Sequence, residues 1–236
     1  GGGLVATGET SLCDDLGRPH GDFALADLFG VRYEGRPKEP LQRPKLDPNF
    51  AIAIDANYWK QRSGVARLSW AAHPIVADGR LTELTPTRSA AFKGPLVKVA
   101  EPADKSEVVG RMTPEGSTES TPSIVARQVG KGRVVYFAAA IDAAMWSYAY
   151  PYQRRLLTRA IIWAARTPAP IEVRSPMCVQ ATYFVQEVQR KQRLVVHLFN
   201  GLNTTANHGL PAMDVPLREE TVPIQDIGVK GRGGLA

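Results

Sequence analysis

The chain has 236 residues, 44% hydrophobic and 22% charged, with a net charge of +6. That balance belongs to a globular protein and excludes a disordered or fibrous chain. No apolar run approaches the roughly 18 residues a membrane helix needs.

No secretory signal is legible at the start. Cys13 and Cys178 lie far apart in the sequence. They are too few for a disulfide framework and lack metal-ligand spacing, so no metal or other cofactor is expected. The compartment stays open, with the cytoplasm the favoured side. The positive charge is scattered, and its densest cluster, Arg154, Arg155, Arg159 and Arg166, reads as the outer face of one helix. Nucleic-acid binders concentrate charge in a stripe interleaved with aromatics, so neither a nucleic-acid nor a membrane partner is expected.

In chain order, Leu4–Thr7 is a short apolar run after three glycines, suited to a buried strand. Gly8–Pro19 is turn chemistry. "DFALADLFGV" has helical spacing, with Asp22 as N-cap and Gly30 as the stop. The Pro-, Lys- and Arg-rich stretch from Tyr33 to Asn49 reads as a loop, and Phe50–Ile54 as a strand. "HPIVADGRLTEL" and "GPLVKVAEP" read as small strands, and Glu115–Pro122 as a polar loop. In "SIVARQVGKGRVVYFAAA" two β-branched runs flank Gly130-Lys131-Gly132, a hairpin signal. Val134–Ala138 is apolar throughout, as for a strand covered on both faces.

The clearest helix is Pro151–Arg166, with proline at its first position. Its apolar stripe is Tyr152, Leu156, Ala160 and Trp163, widened by Leu157, Ile161 and Ala164. Gln153, Arg154, Thr158 and Arg159 face the other way, with Arg155 also on the solvent side. "TPAP" then marks a linker, and a domain boundary falls near residue 168. Behind it lie strand-like runs with hairpin-length gaps and no helix. The module closes on "GVKGRGGLA", which reads as disordered or cut off.

Little in this pattern carries chemistry. There is no Gly-x-Ser-x-Gly elbow. Gly130-Lys131-Gly132 lacks the spacing of a phosphate loop. The four histidines share no ligand spacing. His20, near Glu9, Asp14 and Asp15, is the one group that could hold a divalent cation, although loop acids beside a turn are more often solvated or capping. His197 reads as a hydrogen-bonded core residue, and Cys13 as a small buried one. Asn203-Thr204-Thr205 matches a glycosylation acceptor. Glu9, Asp14, Asp15, Asp55 and Asp142 adjoin predicted strands, where the crevice of an open α/β sheet lies. Spacing alone pairs no two of them as a glycosidase would need.

"GGGLVATGETSLCDDLGRPHGDFALADLFGV" resembles the class I glutamine amidotransferase-like domain of family 42 β-galactosidases, known there as the trimerisation domain. "VGKGRVVYFAAAIDAAMWSYAYPYQRRLLTRAIIWAA" resembles its last hairpin, strand and helix. "RLVVHLFN" and "REETVPIQDIGV" resemble the β module that follows it. The resemblance implies a flavodoxin-like, amidotransferase-like parallel α/β sheet over residues 1–167, lacking its first β-α units. An all-β module over residues 168–236 would follow. It also implies a larger polypeptide whose preceding (β/α)8 barrel bears the catalytic carboxylates. A true amidotransferase places a nucleophilic cysteine in the turn after this strand, where thiolate attack makes the acyl-enzyme. Here that turn is Thr7-Gly8-Glu9-Thr10, and no His-x-Glu pair follows.

The expectation is therefore a chain not catalytic by itself. It would be an assembly and active-site-walling region of a glycoside hydrolase, partnered by its own barrel, by further copies (a trimer in the family resembled) and by the carbohydrate substrate of the parent enzyme. Two other readings stay open. One is a stand-alone hydrolase or sugar-modifying enzyme using Glu9 with Asp14 and Asp15. The other is a carbohydrate-binding module stacking sugars on Trp59, Trp70, Trp146 and Tyr148.

Overall fold

The computed structural model describes residues 1–36, 63–102, 105–147, 150–167, 169, 171–176, 178–189, 191–200 and 223–231. The chain divides into two compact units, Gly1–Thr167 and Pro168–Ala236.

The first unit is a six-stranded sheet with helices against it. Its strands are β1 (Gly3–Thr7), β3 (Ser63–Trp70), β4 (Ser89–Pro95), β6 (Glu107–Pro114), β7 (Thr121–Val129) and β8 (Gly132–Phe137), in the order β1-β8-β7-β6-β3-β4. A small antiparallel pair, β2 (Tyr33–Gly35) with β5 (Lys98–Val99), lies outside that sheet. Only β1 and β8 run parallel, in the register Leu4↔Val134 to Thr7↔Phe137. The other four junctions are antiparallel, so the sheet is mixed and mostly antiparallel, not the parallel sheet expected. The reason lies in the connections. β7 joins β8 through Gly130 and Lys131 alone, and β6 joins β7 through the short 115–120 turn. A parallel neighbour would need a crossover of a dozen residues or more.

Burial follows that topology. Val134 to Ala138 are all buried, because β8 sits between β1 and β7 with helices on both faces. Tyr136 stacks on Phe29 at 4.7 Å, on the face covered by α1 (Ala26–Phe29). On the opposite face α4 (Pro151–Ala165) comes so close that a Cβ on Gly3 would lie 2.4 Å from Ala164 O. β3, by contrast, alternates buried and exposed from Gly64 to Trp70. One covered face is what an antiparallel half-sheet tolerates and a parallel one does not.

Several local expectations are corrected. α1 is a single turn capped by Gly30 at φ 74°, and Asp22 does not cap it. Asp22 instead accepts from the Phe23 and Tyr33 amides, both at 2.8 Å, so it ties the start of this segment to β2. "HPIVADGRLTEL" contains a helix, α2 (Gly79–Leu84), because the Asp78 carboxylate accepts from the Leu81 amide at 2.9 Å. A further helix, α3 (Ile141–Ser147), packs on β4, where a Cβ on Gly94 would lie 2.7 Å from Ala144 Cβ. On α4, Tyr152, Leu156, Ala160 and Ala164 are buried, but Ile161 is 52% exposed and Gln153 is fully buried. Gln153 turns inward because its Oε1 accepts from the Tyr150 amide at 3.1 Å and closes the first turn. The strand expected at Phe50–Ile54 and the glycosylation pattern at Asn203 lie outside the described residues.

The second unit, as described, is made of strands. β10 (Val179–Val188) and β11 (Lys191–Asn200) form a ten-pair antiparallel hairpin, and β9 (Ile171–Arg174) pairs with β12 (Gly228–Gly231). The "GVKG" stretch is therefore a paired strand and not a disordered tail. His197 is not core: it is exposed and meets Phe184 edge-on at 5.7 Å.

Candidate functional site: the turn after the first strand

β1 ends at Thr7, and the chain reverses through Gly8 at φ 52°. Gly8 is bonded to the end of β8, and the residues after it close local turns. Gly8 N–H donates to Phe137 O at 2.7 Å, and the Tyr136 hydroxyl donates to Gly8 O at 2.7 Å. Thr10 donates from its amide and from its hydroxyl to Thr7 O, at 3.2 and 2.7 Å. Ser11, held at φ 66°, accepts from the Leu25 amide at 3.2 Å. Burial, reinforced by the Glu9 and Tyr33 side chains, pushes the Tyr136 hydroxyl far above the usual tyrosine range, so it remains a hydrogen-bond donor. The turn is thus pinned to the last residues of β8 and has little freedom to open.

The three candidate acids occupy three different surroundings. Glu9 is half-buried and forms an ion pair with Arg36, whose Nε lies 2.6 Å from its Oε1. Asp14 accepts from the Leu16 and Arg18 amides at 2.9 and 2.8 Å, the bonding of a turn residue. Asp15 is exposed to solvent. His20 is exposed, and its amide donates to Leu12 O at 2.6 Å. Among the described residues, no group of His, Cys, Asp and Glu is arranged to hold a metal ion. Cys13 is exposed, contrary to the buried position expected; it makes an isolated bridge with Pro19, while its neighbour Leu12 is the residue that enters the core. Asp142 is exposed at the start of α3, and Asp55 lies outside the described residues.

The turn holds no cysteine; its side chains are the hydroxyls of Thr7, Thr10 and Ser11 and the Glu9 carboxylate. The residue that takes the positive φ directly after the strand is Gly8, and a Cβ there would lie 2.9 Å from the Ala140 Cβ. Of the four aromatics considered as sugar-stacking surfaces, Trp70 is the one whose side chain is described. Trp70 is 7% exposed, stacked beside Tyr152 at 6.3 Å, while Trp59 and Tyr148 lie outside the described residues.

Two polar arrangements were not legible in the sequence. Arg155 bridges from α4 to Asp78 at the start of α2. His73 is buried against Trp163, with its Nδ1 accepting from the Ile75 amide at 3.1 Å. Its proton therefore sits on Nε2, 3.8 Å from Glu107. Burial, followed by the repulsion of Arg133, lowers the His73 pKa despite Glu107.

Fold and site together define a mixed α/β unit whose turn after β1 carries acids and no cysteine. No family model matches the sequence, and no curated protein matches it. Among solved structures, the chain is similar to a cold-adapted β-galactosidase from Rahnella sp. R3, with a TM-score of 0.50 and 10% identity. The match covers 85% of this chain and 24% of that one, so the chain spans about a quarter of that enzyme's length. At that identity the likeness is one of fold.

Proposed function

We propose that this chain is a non-catalytic region of a glycoside hydrolase that serves subunit assembly and walls the sugar site of a neighbouring barrel. On this reading Gly1–Thr167 is an amidotransferase-like domain that has kept its scaffold and lost its chemistry, and Pro168–Ala236 is the β module behind it. Its partners are further copies of itself and the barrel of the parent enzyme, which acts on a β-galactoside-like carbohydrate. The observation that carries the reading is Gly8: the residue at the reversal has no side chain and no room for one beside Ala140. Glu9, the nearest acid, has its charge met by Arg36. The similarity of fold to part of a β-galactosidase supplies the hydrolase context by analogy.

The test is to assay the purified chain with glutamine and with aryl β-galactosides, and to follow its association by sedimentation velocity. No turnover together with concentration-dependent self-association is expected. Turnover that disappears in Glu9→Gln would establish a stand-alone enzyme instead. A monomer at every concentration would remove the assembly role.

A further inference from the structure

The first unit holds a pocket of about 130 Å³ between the end of β3, the 71–78 loop and α2. That volume exceeds what one water needs and falls well below the roughly 300 Å³ at which drug-sized sites begin. Buried Trp70, Val76 and Leu81 form apolar wall, while exposed Thr82 and Arg88 stand at its rim.

Its polar side chains supply acceptors at the threonines and donors at His73 and Arg88. Thr82 Oγ1 donates to Asp78 O at 3.1 Å and Thr85 Oγ1 to Leu81 O at 2.7 Å. With their protons committed, both hydroxyls present only lone pairs. The Nδ1 lone pair of His73 is taken by the Ile75 amide, which leaves its Nε2–H as a neutral donor. Arg88 is the charged donor. Its backbone is fixed on both sides, its amide donating to Thr85 O at 2.9 Å and its carbonyl accepting from the Trp70 amide at 3.0 Å. It is held at φ 51°, where a glycine would be less strained. Among the described residues its guanidinium, with five N–H donors, has no hydrogen-bond or ion-pair partner.

We infer that this pocket binds a small polyhydroxylated carboxylate of the size of a sugar acid. Such a ligand gives its carboxylate to Arg88, its hydroxyl protons to Thr82 and Thr85, and its apolar edge to Trp70 and Leu81. Inorganic phosphate would satisfy Arg88 but has no apolar edge for Trp70 and Leu81. A neutral sugar would leave the Arg88 charge without a counter-charge. The inference rests on the pocket alone, so a chain that fails to assemble leaves it standing.

Isothermal titration of the whole chain with galacturonate tests it, with galactose and inorganic phosphate as comparisons. Galacturonate should saturate with a Kd of about 1 mM or tighter, and each comparison ligand should bind roughly tenfold more weakly or worse. Arg88→Gly relieves the backbone and should keep the melting temperature while losing roughly tenfold or more in affinity. Arg88→Asn, which also tolerates this φ, should behave alike. Thr82→Val, at the rim, should weaken galacturonate and leave phosphate unchanged. Absence of saturation, equal binding of galactose or phosphate, or wild-type affinity in both Arg88 variants would each overturn the assignment.

Discussion

Arg155 and Asp78, 77 positions apart in the sequence, form a two-pronged ion pair in which Arg155 Nη2 lies 2.9 Å from Oδ1 and 2.8 Å from Oδ2. The same Oδ1 caps α2 through the Leu81 amide, so one carboxylate both starts a helix and ties it to α4. Arg155→Ala should cost about 1 kcal/mol, since the guanidinium is partly solvated and screened. Asp78→Ala also loses the cap and should cost about 2–3 kcal/mol. Urea denaturation at pH 7 measures both, and equal costs would mean that the cap adds nothing.

The pair also predicts an acid dependence. Burial alone would raise the Asp78 pKa, but the hydrogen bond from Arg155, the Leu81 amide and the charges of Arg155 and Arg159 outweigh it and hold it below the ordinary value. A carboxyl depressed by folding stabilises the protein above its unfolded pKa and loses that contribution as pH falls through the folded one. Stability should therefore decline as the pH falls from about 5 to below 4, and Asp78→Asn should show a shallower decline. Parallel slopes in urea melts across that range would remove Asp78 as a source of acid sensitivity.

On α4, Leu156 is fully buried and Ile161 is 52% exposed. Leu156→Ala should cost about 2–5 kcal/mol by opening a cavity in the core. Ile161→Ala should change stability by less than about 0.5 kcal/mol, as surface substitutions do. Denaturant midpoints for the two variants decide between this orientation and one rotated toward Ile161.

The existence of α4, the β7–β8 hairpin and the buried run Val134–Ala138 could be read from periodicity, turn residues and β-branched runs, because those signals are local. Direction and register could not. Whether β8 meets a parallel or an antiparallel neighbour depends on which strand the chain places beside it, and the β1–β8 pairing spans more than a hundred residues. On α4 residue type misleads where polar side chains have specific partners, one distant and one three residues away. Arg155 and Gln153 look like surface residues by type, and only Asp78 and the Tyr150 amide explain their positions. Cys13 differs for another reason: residue type does not say which of two adjacent apolar loop residues turns inward, and here it is Leu12. At the candidate site the absence of an elbow cysteine was legible at once. The closure of that position by Ala140 required the fold.

His73 gives a second pH dependence, of a different kind. Burial first, and then Arg133, depress its pKa, so folding favours the neutral ring. The unfolded chain takes up a proton near pH 6.5 while the folded chain resists it. Its contribution to stability is complete above that pH and is lost as pH falls through the lower, folded value. Between pH 7.5 and 5.5 the wild type should lose more stability than His73→Asn, whose Oδ1 can still accept from the Ile75 amide. Urea midpoints at the two pH values measure the difference, and an identical drop in the variant would exclude His73 as its origin.

Gly8 should tolerate no side chain. It sits at φ 52°, and a Cβ would lie 2.9 Å from Ala140 Cβ. Two costs then add: the left-handed backbone disfavours any L-residue, and the added methyl must displace Ala140, buried just before α3. Gly8→Ala should lose about 2 kcal/mol or more. Gly116 isolates the first cost, since it has φ 74° with nothing within 4 Å of its would-be Cβ, and Gly116→Ala should lose only about 1 kcal/mol. Gly8→Cys puts a thiol at the reversal and is the sharper experiment. It should be destabilised like the alanine variant and still hydrolyse no glutamine, because no His-x-Glu pair follows in the sequence. A stable Gly8→Cys protein that releases ammonia from glutamine would show that the crest retains amidotransferase machinery and that only its nucleophile is missing.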